Sequence, residues 1–398
     1  MKGKTILMVL LFVLAAMLTA EAKLTNVALF RFYVPLKEGD ISQFRAERLI
    51  TMATGELKDV ANFNVSIYFH PWVPVMPGQI YVESVYFTLK KLPGIGKLPL
   101  NGSILIGQGR NRNFGVMPSY SNRKTSEYGI VSDMFTHDRI QGIQLNFSQK
   151  PIFFGVSLYN GYKLGARSMG GVKFLADRGL DLVNLANDVD NGKEISVRAG
   201  IKCPKVPSDA AISFSYAKLY DDGKKLDDPT KNDDITFLMD NVLGLREITK
   251  DEKGNPVVKV KGEMEKKDKI RIGFDSTAVF KKRDLPAYPS MLRCEAYYGM
   301  TGDLNHIGLC GLLGVKVKPL KLDLYTRVGR IQLDLEDNQR SPKNSLTWNL
   351  TQICVSGVFA IQKGITLRVE YEKNIEDVPG GGEAPDNDRL FFETLMAF

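Results

Sequence analysis

Most of the chain alternates apolar and polar residues with a period of two, which is the pattern of half-buried β-strands. In residues 365–372, for example, Ile365, Leu367 and Val369 alternate with polar neighbours. The same alternation recurs in four further segments, at residues 63–70, 141–147, 211–218 and 269–275. Helical periodicity is scarce by comparison, so the sequence predicts an all-β protein.

Sixteen strands are predicted, with a range of fourteen to eighteen. They cover residues 26–35, 46–57, 63–71, 80–89, 101–108, 138–148, 151–161, 195–203, 209–220, 268–280, 287–301, 306–317, 320–334, 346–361, 364–374 and 388–398. Counted from the N-terminus, the connections between them alternate between two kinds. One set is mostly long and polar, whereas the other is mostly short and marked by Pro or Gly, as at Lys318-Pro319. Long external loops and short periplasmic turns are typical of a transmembrane antiparallel β-barrel.

Composition limits the alternatives without choosing among the all-β folds. Apolar residues make up 44% of the 398 residues and mean hydropathy is −0.13, which excludes a helical protein with several membrane spans. A soluble β-sandwich would join the apolar strand faces in a core, whereas a barrel would turn them towards lipid. The formal net charge of +8 favours anionic solutes or partners.

The N-terminal segment has the features of a secretory signal peptide, predicted to span residues 1–22. Lys2 and Lys4 precede an unbroken apolar run over residues 6–18. Ala20 and Ala22 then supply small residues in the spacing of a cleavage site. The sequence therefore predicts export, with residues 23–398 forming the mature barrel. An uncleaved anchor or a buried helix is the alternative.

The C-terminus ends in a phenylalanine on an alternating strand, with Leu390, Phe392, Met396 and Phe398 at alternate positions and Thr394 between them. This pattern resembles the sorting signal that the barrel-assembly machinery reads in bacterial outer-membrane proteins. The last strand must also pair with the first, because an open strand edge cannot exist in lipid. We therefore predict a bacterial outer-membrane location, in contact with lipid and lipopolysaccharide.

Aromatic residues fall near the ends of predicted strands, where amphipathic rings would form girdles at a lipid interface. They are Trp72, Tyr81, Tyr159, Tyr162, Tyr297, Tyr298 and Trp348. Aromatic residues also favour β-structure in general, so ordinary strand composition is the alternative interpretation.

Several segments together resemble the porin O/P-type family of phosphate-selective porins. They are residues 44–49 (Phe-Arg-Ala-Glu-Arg-Leu), 62–67 (Asn-Phe-Asn-Val-Ser-Ile), 80–89, 104–110 (Ile-Leu-Ile-Gly-Gln-Gly-Arg) and Asn113-Phe114-Gly115. The resemblance is diffuse and extends over much of the mature chain. It implies a homotrimeric sixteen-stranded channel whose third loop folds inward as a constriction. It does not imply phosphate as the solute, because the family's basic ladder is not evident here.

The third long connection, residues 109–137, is therefore the candidate constriction loop. Its charged residues are Arg110, Arg112, Arg123, Lys124, Glu127 and Asp133. Arg271 and Arg368 lie on polar strand faces and are predicted to line the lumen, together with Arg45, Arg48, Lys269 and Arg327. Glu370 and Glu372 on the same face argue against a purely cationic wall. The sequence predicts a water-filled diffusion channel for small hydrophilic solutes with a weak preference for anions.

Other functions receive little support from the sequence. The three histidines form no H-E-x-x-H motif, and no G-x-S-x-G motif occurs, so neither an enzyme nor a cofactor is predicted. The four cysteines lack metal-ligand spacing, and export disfavours nucleic-acid binding. The aspartates of residues 221–267 could bind divalent cations, although a solvated external loop with a short helix over 234–245 is favoured. A non-conducting structural or adhesive barrel and a periplasmic binding protein remain alternative functions.

Overall fold

The protein forms one closed barrel of sixteen antiparallel strands, joined in the order in which they occur along the chain. The computed structural model describes residues 23–36, 42–57, 60–70, 79–92, 96–116, 123–126, 128–136, 139–160, 193–219, 246–250, 256–260, 267–281, 284–301, 304–336, 340, 348–384 and 387–398. The predicted all-β barrel is thereby confirmed, and each of the sixteen predicted strands corresponds to one barrel strand.

The barrel strands vary from eight to fifteen residues in length. They are β1 (Lys23–Pro35), β2 (Gln43–Leu57), β3 (Ala61–His70), β4 (Gln79–Leu89), β5 (Ser103–Arg110), β6 (Arg139–Gln149), β7 (Ile152–Asn160), β8 (Lys193–Lys202), β9 (Asp209–Leu219), β10 (Lys267–Val279), β11 (Ala287–Thr301), β12 (Leu304–Val317), β13 (Leu322–Asp334), β14 (Asn349–Gln362), β15 (Ile365–Asp377) and β16 (Arg389–Ala397).

The barrel closes where β16 pairs with β1, from Val27 opposite Ala397 to Pro35 opposite Arg389. Beyond the last strand residue, the backbone N–H of Asn26 donates to the Phe398 carbonyl at 2.7 Å, and the Phe398 N–H donates to the Asn26 carbonyl at 2.9 Å. This pairing satisfies both strand edges, as predicted from the sequence, because unpaired backbone groups are costly in hydrocarbon.

The two barrel faces distribute polarity in the opposite sense to a soluble protein. Apolar side chains point outward and stay exposed, as Ile272, Leu309 and Val355 do at 50%, 50% and 39%. Polar side chains point into the barrel and are buried there, as Asp275 and Glu372 are. The alternation in the sequence therefore places apolar residues on the outer surface and polar residues in the lumen.

The connections divide into two rims of different length. The turn side, where β1 begins and β16 ends, holds residues 58–60, 90–102, 150–151, 203–208, 280–286, 318–321 and 363–364. The loop side holds residues 36–42, 71–78, 111–138, 161–192, 220–266, 302–303, 335–348 and 378–388. The predicted segregation of mostly short turns and mostly long loops is present, with two exceptions: the brief 302–303 connection on the loop side and the thirteen-residue 90–102 connection on the turn side.

The described parts of the connections contain two short hairpins, one short α-helix and two 3-10 turns, at Pro99–Asn101 and Pro379–Gly381. Lys91–Leu92 pairs with Gly96–Lys97 on the turn side, and Arg246–Lys250 pairs with Pro256–Val260 inside the long 220–266 connection. The second hairpin was not predicted, while the short helix expected over 234–245 lies outside the described residues. Helix α1 (Ile130–Phe135) follows β5. None of the helices in the described part of the chain is long and apolar enough to cross a membrane.

The predicted aromatic girdle is wrong for three of its residues. Tyr159, Tyr297 and Trp348 are buried, at 1%, 2% and 8% exposure. Tyr297 and Trp348 pack in an apolar cluster inside the barrel, and the Tyr159 hydroxyl is hydrogen-bonded in the lumen. Tyr298 alone among the described side chains of that set is exposed, at 40%. Strand-end position did not reveal which face each ring would take.

We expect Leu309→Arg to destabilise the membrane-inserted barrel by about 2–4 kcal/mol, because Leu309 lies on the outer face near the middle of β12. Asp334→Arg provides the matched control, because Asp334 lies at the loop-side end of β13 and should cost at most about 1 kcal/mol. Equilibrium unfolding in lipid bilayers measures both. Equal effects of the two changes would contradict a lipid-facing assignment of β12.

Candidate functional site

The connection between β5 and β6 folds into the barrel and contacts inward-facing side chains on distant strands. The Asn113 side-chain amide donates to Ser157 Oγ on β7 at 2.9 Å, and the Gly115 N–H donates to Ser213 Oγ on β9 at 3.1 Å. Further on, the Ser126 N–H donates to Glu370 Oε2 on β15 at 2.6 Å. The loop therefore lies in the lumen and follows the wall from β6 to β15.

The Asn113-Phe114-Gly115 segment, which carried part of the family resemblance, is where the chain turns into the lumen. Asn111 initiates the turn, because its Oδ1 accepts the N–H of Asn113 at 3.0 Å, an arrangement that asparagine favours. Its Nδ2 donates to Ser196 Oγ at 3.0 Å. Phe114 is fully buried beneath the guanidinium of Arg271, 4.4 Å from the ring centre. The start of the loop is thus fixed by wall residues.

Helix α1 builds an apolar core inside the polar lumen. The members from the loop are Phe114, Ile130, Val131, Met134 and Phe135, and the members from the wall and rim are Tyr297, Leu304, Ile331, Leu333, Trp348 and Leu350. Removing these surfaces from water holds the helix against strands β11–β14. Gly308 on β12 permits this approach, since a Cβ there would come within 2.5 Å of the Phe135 ring.

A glycine also precedes α1 for two physical reasons. Gly129 has a φ of +94°, in the region that side-chain-bearing residues rarely adopt. A Cβ at this position would lie 2.7 Å from Nε of Arg327. The wall arginine therefore passes directly against the loop backbone, and Arg327 also donates to the Thr125 hydroxyl.

One buried ion-pair network ties the end of α1 to the wall. Glu194 on β8 accepts from Lys269 Nζ at 2.8 Å and from Arg271 Nη2 at 2.6 Å. Arg271 Nη1 donates to the Phe135 carbonyl at 2.6 Å, which satisfies a carbonyl that the helix leaves unpaired at its C-terminus. Arg271 faces the lumen as predicted, but it is 2% exposed and shares its carboxylate partner with Lys269.

A second network holds the far end of the loop. Glu393 on β16 pairs with both Arg31 on β1, at 2.9 Å, and Arg368 on β15. These two arginines also donate to loop carbonyls, Arg31 to that of Ser126 at 3.5 Å and Arg368 to that of Arg123 at 3.2 Å. Arg368 therefore lies on the inner face as predicted, where it is 6% exposed and anchors the loop.

The predicted residues of the loop itself separate into distinct environments. Arg123 is buried, donates to the Ser126 carbonyl and lies 5.0 Å from the centre of the Tyr128 ring. Arg112 is exposed and donates from Nη2 to the Tyr86 hydroxyl at 3.0 Å. Arg110 belongs to β5, where alternation from the exposed Ile106 places it on the outer face.

Lys124 lies towards the turn-side half of the lumen, with Nζ 5.8 Å from the centre of the Tyr325 ring. Burial lowers the pKa of its ammonium group from the ordinary lysine value, and the Asp323 carboxylate partly opposes that effect. Asp133 is half-buried on α1, whereas Glu127 lies outside the described residues.

The loop leaves the β2–β5 side of the lumen more open. Inward-facing residues there keep intermediate exposure and are mostly uncharged; they include Thr54, Asn62, Asn64, Tyr86 and Thr88. Arg112 reaches this wall through its contact with Tyr86. A passage between the loop and β2–β5 would therefore be bordered by the exposed guanidinium of Arg112, the half-buried Arg48 on β2 and several neutral polar groups.

The remaining sequence predictions concern the termini and the wall. Leu390, Phe392 and Met396 share the outer face of β16, and Phe398 is 74% exposed just beyond it. Ala20, Ala22 and the predicted signal peptide lie outside the described residues. The predicted inward orientation is also found for Lys269, Arg327, Glu370 and Glu372, which are all buried. The side chain of Arg45 is not described, and Arg48 is half-buried opposite Leu29.

Neither a disulfide nor a candidate metal centre is found in the described structure. Cys203, Cys294, Cys310 and Cys354 are all free thiols. Among the described residues, no three His, Cys, Asp or Glu side chains are grouped so as to hold a metal ion. All of the aspartates in residues 221–267 fall outside the described residues.

Solved structures with the same fold include an outer-membrane channel and an anion-selective porin. The outer membrane channel DcaP of Acinetobacter baumannii matches with a TM-score of 0.60 and 11% identity, over 96% of this chain and 98% of that chain. The high-pH structure of Pseudomonas putida OprB matches at 0.57 and 11%, over 96% of each chain. An anion-selective porin from Comamonas acidovorans matches at 0.53 and 10%, over 95% of this chain and all of that chain.

No protein-family model matches the chain, and no curated sequence matches it either. The structural similarity therefore establishes the fold of outer-membrane porins at low sequence identity.

Sequence reasoning missed the residues that hold the loop in place. Asn111, Ser126, Glu194 and Glu393 all anchor it, yet none belongs to a recognisable motif. The only sequence signal was the presence of carboxylates on the polar face of strands that also carry arginines. Their partners come from strands far apart along the chain, so alternation identified the face but not the pairs.

We expect Glu370→Ala to release the loop tip, because it removes the carboxylate that accepts the Ser126 N–H. Losing a hydrogen bond to a charged group costs about 1.5–3 kcal/mol. Limited proteolysis of the folded barrel should then cleave within residues 109–137 faster than in the unmodified protein. Glu56→Ala is the control, since the exposed Glu56–Lys90 pair on the turn side should contribute at most about 1 kcal/mol. Unchanged cleavage of Glu370→Ala would contradict a latching role.

Proposed function

We propose that this chain is a porin of the bacterial outer membrane, a water-filled channel for small hydrophilic solutes with a weak preference for anions. The observation that carries this proposal is the closed barrel with a polar inner face and a loop folded into its lumen. In such a channel, selectivity comes from the pore radius and from the charges that remain exposed to the passage.

The anion preference would come from few of the cations that the sequence offers. Arg271 and Arg368 each share one carboxylate with a second cation, so their charges are only partly compensated. These two arginines and Arg123 are also buried against the loop rather than exposed to the passage. Arg112 on the open β2–β5 side and Lys124 towards the turn side are the loop cations that remain half or fully exposed. A cationic group in a confined passage raises the local concentration of anions. The solved anion-selective relative from Comamonas has the same fold, which is compatible with this proposal.

The remaining parts of the proposal concern export and assembly. Residues 1–22 would act as a signal peptide cleaved after Ala22. The outer face of β16, with Leu390, Phe392 and Met396, followed by Phe398, would be read by the barrel-assembly machinery and then face lipid and lipopolysaccharide. A homotrimer is proposed as well. The outer face of β1 and β2 supports it, because the polar pair Asn26–Thr51 and the small Ala28 and Ala53 lie there among exposed leucines, Leu24 and Leu49.

A non-conducting structural barrel is the second candidate, and the apolar core inside the lumen favours it. Eleven buried residues from the loop, the wall and the rim pack there, so a large part of the cross-section is filled. The two candidates differ in whether the β2–β5 side carries water and ions.

Planar-bilayer recording tests the proposed function. We expect stepwise conductance. In a KCl gradient, the reversal potential should be displaced from zero towards the chloride equilibrium potential. Arg112→Gln should move the reversal potential towards zero, because it removes the exposed guanidinium beside Tyr86. Lys218→Gln is the control, since Lys218 lies on the outer face of β9. Insertion without conductance would favour the structural barrel, and a reversal potential on the cation side would contradict the anion preference.

The pH dependence of selectivity gives a separate prediction. Because burial lowers the pKa of Lys124, this side chain should lose its charge at pH values below the ordinary pKa of lysine. Anion preference should therefore fall as the pH rises through that range. Lys124→Arg should keep its preference there, because arginine stays protonated. Reversal potentials measured over an alkaline pH series check this, and identical curves for the two proteins would contradict a contribution from Lys124.

A further inference from the structure

The turn-side rim is strongly basic, whereas the loop side is not. By sequence, the seven turn-side connections hold twelve basic residues and two acidic ones, and every connection contains at least one lysine. In the eight loop-side connections, acidic residues outnumber basic ones. Charge is thus separated along the barrel axis, with the positive end at the rim where β1 begins and β16 ends.

The turn-side lysines are exposed and mostly lack carboxylate partners. Lys150, Lys205, Lys281, Lys321 and Lys363 are all exposed. Among the described lysines of these connections, ion pairs form only from Lys90 to Glu56, at 2.8 Å, and from Lys318 to Asp284, at 3.5 Å. The positive charge of the rim is therefore available to an external partner.

Three lysines from neighbouring segments come together around the 203–208 turn. Lys150, Lys202 and Lys205 line a concave surface there, with Asp209 at its edge. The exposed Cys203 lies in the same concavity. The backbone N–H groups of Lys205 and Val206 hydrogen-bond to its sulfur and hold the pKa of the thiol below its ordinary value, with support from the charges of Lys205 and Lys281.

We propose that the turn-side rim is a docking surface for an anionic polymer that carries carboxylates at repeated spacing, the chemistry of a cell-wall glycan with peptide side chains. Lysine ammonium groups are flexible point charges and suit partners without a fixed geometry. Their spread over all seven turns fits an extended polymer better than one compact acidic protein. Once one lysine has bound the polymer, the neighbouring carboxylates are held at a high effective concentration near the other lysines, so many weak contacts together give a higher affinity. This inference goes beyond channel function and does not depend on conductance.

Co-sedimentation with purified peptidoglycan sacculi tests the proposal on the full-length barrel in detergent. The variant Lys150→Gln/Lys205→Gln/Lys281→Gln removes three exposed turn-side lysines. We expect it to lower the affinity about 100-fold at low salt. The control Lys193→Gln/Lys218→Gln/Lys373→Gln makes the same change in net charge away from the turns and should bind like the unmodified protein. Heat-modifiable migration in gels verifies that both variants form folded barrels.

Four outcomes would overturn the proposal. They are no binding of the unmodified protein, an equal loss in both triple variants, binding that does not weaken with salt, and equal or tighter binding to vesicles with anionic lipid headgroups than to sacculi. The last result would assign the rim to the inner lipid leaflet. Soluble polyglutamate should compete with sacculi, because it presents carboxylates at repeated spacing without the glycan.

Cys203 offers an independent measure of the local potential. The measured quantity is the rate of modification by an anionic methanethiosulfonate divided by the rate with a cationic one. This rate ratio should be higher for Cys203 than for a free thiol in solution. This rate ratio should fall in the Lys150→Gln/Lys205→Gln/Lys281→Gln variant and with added salt. Cys203→Ser identifies the signal that comes from this position. A ratio equal to that of the free thiol would contradict a positive surface and overturn the proposal.

Discussion

Hydrogen bonding of the backbone in a medium without water is the constraint on which this structure depends. A barrel satisfies it only when closed, and here closure rests on the pairing of β16 with β1. Closure in turn requires every strand to present one face to lipid and one to the lumen. That requirement explains the period-two pattern, the exposed apolar side chains outside and the buried charges inside.

A closed polar cylinder leaves its inner wall to be covered by water or by protein. In this chain the third loop covers much of that wall, and it needs both apolar and ionic contacts to do so. Helix α1 packs an apolar core against β11–β14, while Glu194, Glu370 and Glu393 hold the loop or the arginines that contact it. Glu194 and Glu393 are each shared by two cations, so Arg271 and Arg368 are only partly compensated, and both are buried against the loop. The exposed Arg112, the half-exposed Lys124 and the half-buried Arg48 are then the cations nearest the proposed passage.

The two rims differ in length and in charge, and both differences follow the same axis. Short turns leave no room for a packed core of their own, so their lysines project outward from the barrel end. The long connections are locally richer in acidic residues, and one of them is drawn into the lumen. The barrel is thus asymmetric in charge between its two rims and in hydrophobicity between its two faces. The proposed channel uses the lumen, and the proposed docking surface uses the turn-side rim.

The sequence by itself predicted the sixteen strands, their closure, the two kinds of connection and the apolar and polar faces of most strands. These are local properties, because a period of two and a turn signal need only neighbouring residues. Tertiary structure alone decided which cations are compensated, why Tyr159, Tyr297 and Trp348 point inward, and how residues 109–137 are anchored. Those outcomes depend on contacts such as Ser126 with Glu370, which are 244 positions apart. Only the curvature of the closed barrel brings such residues together.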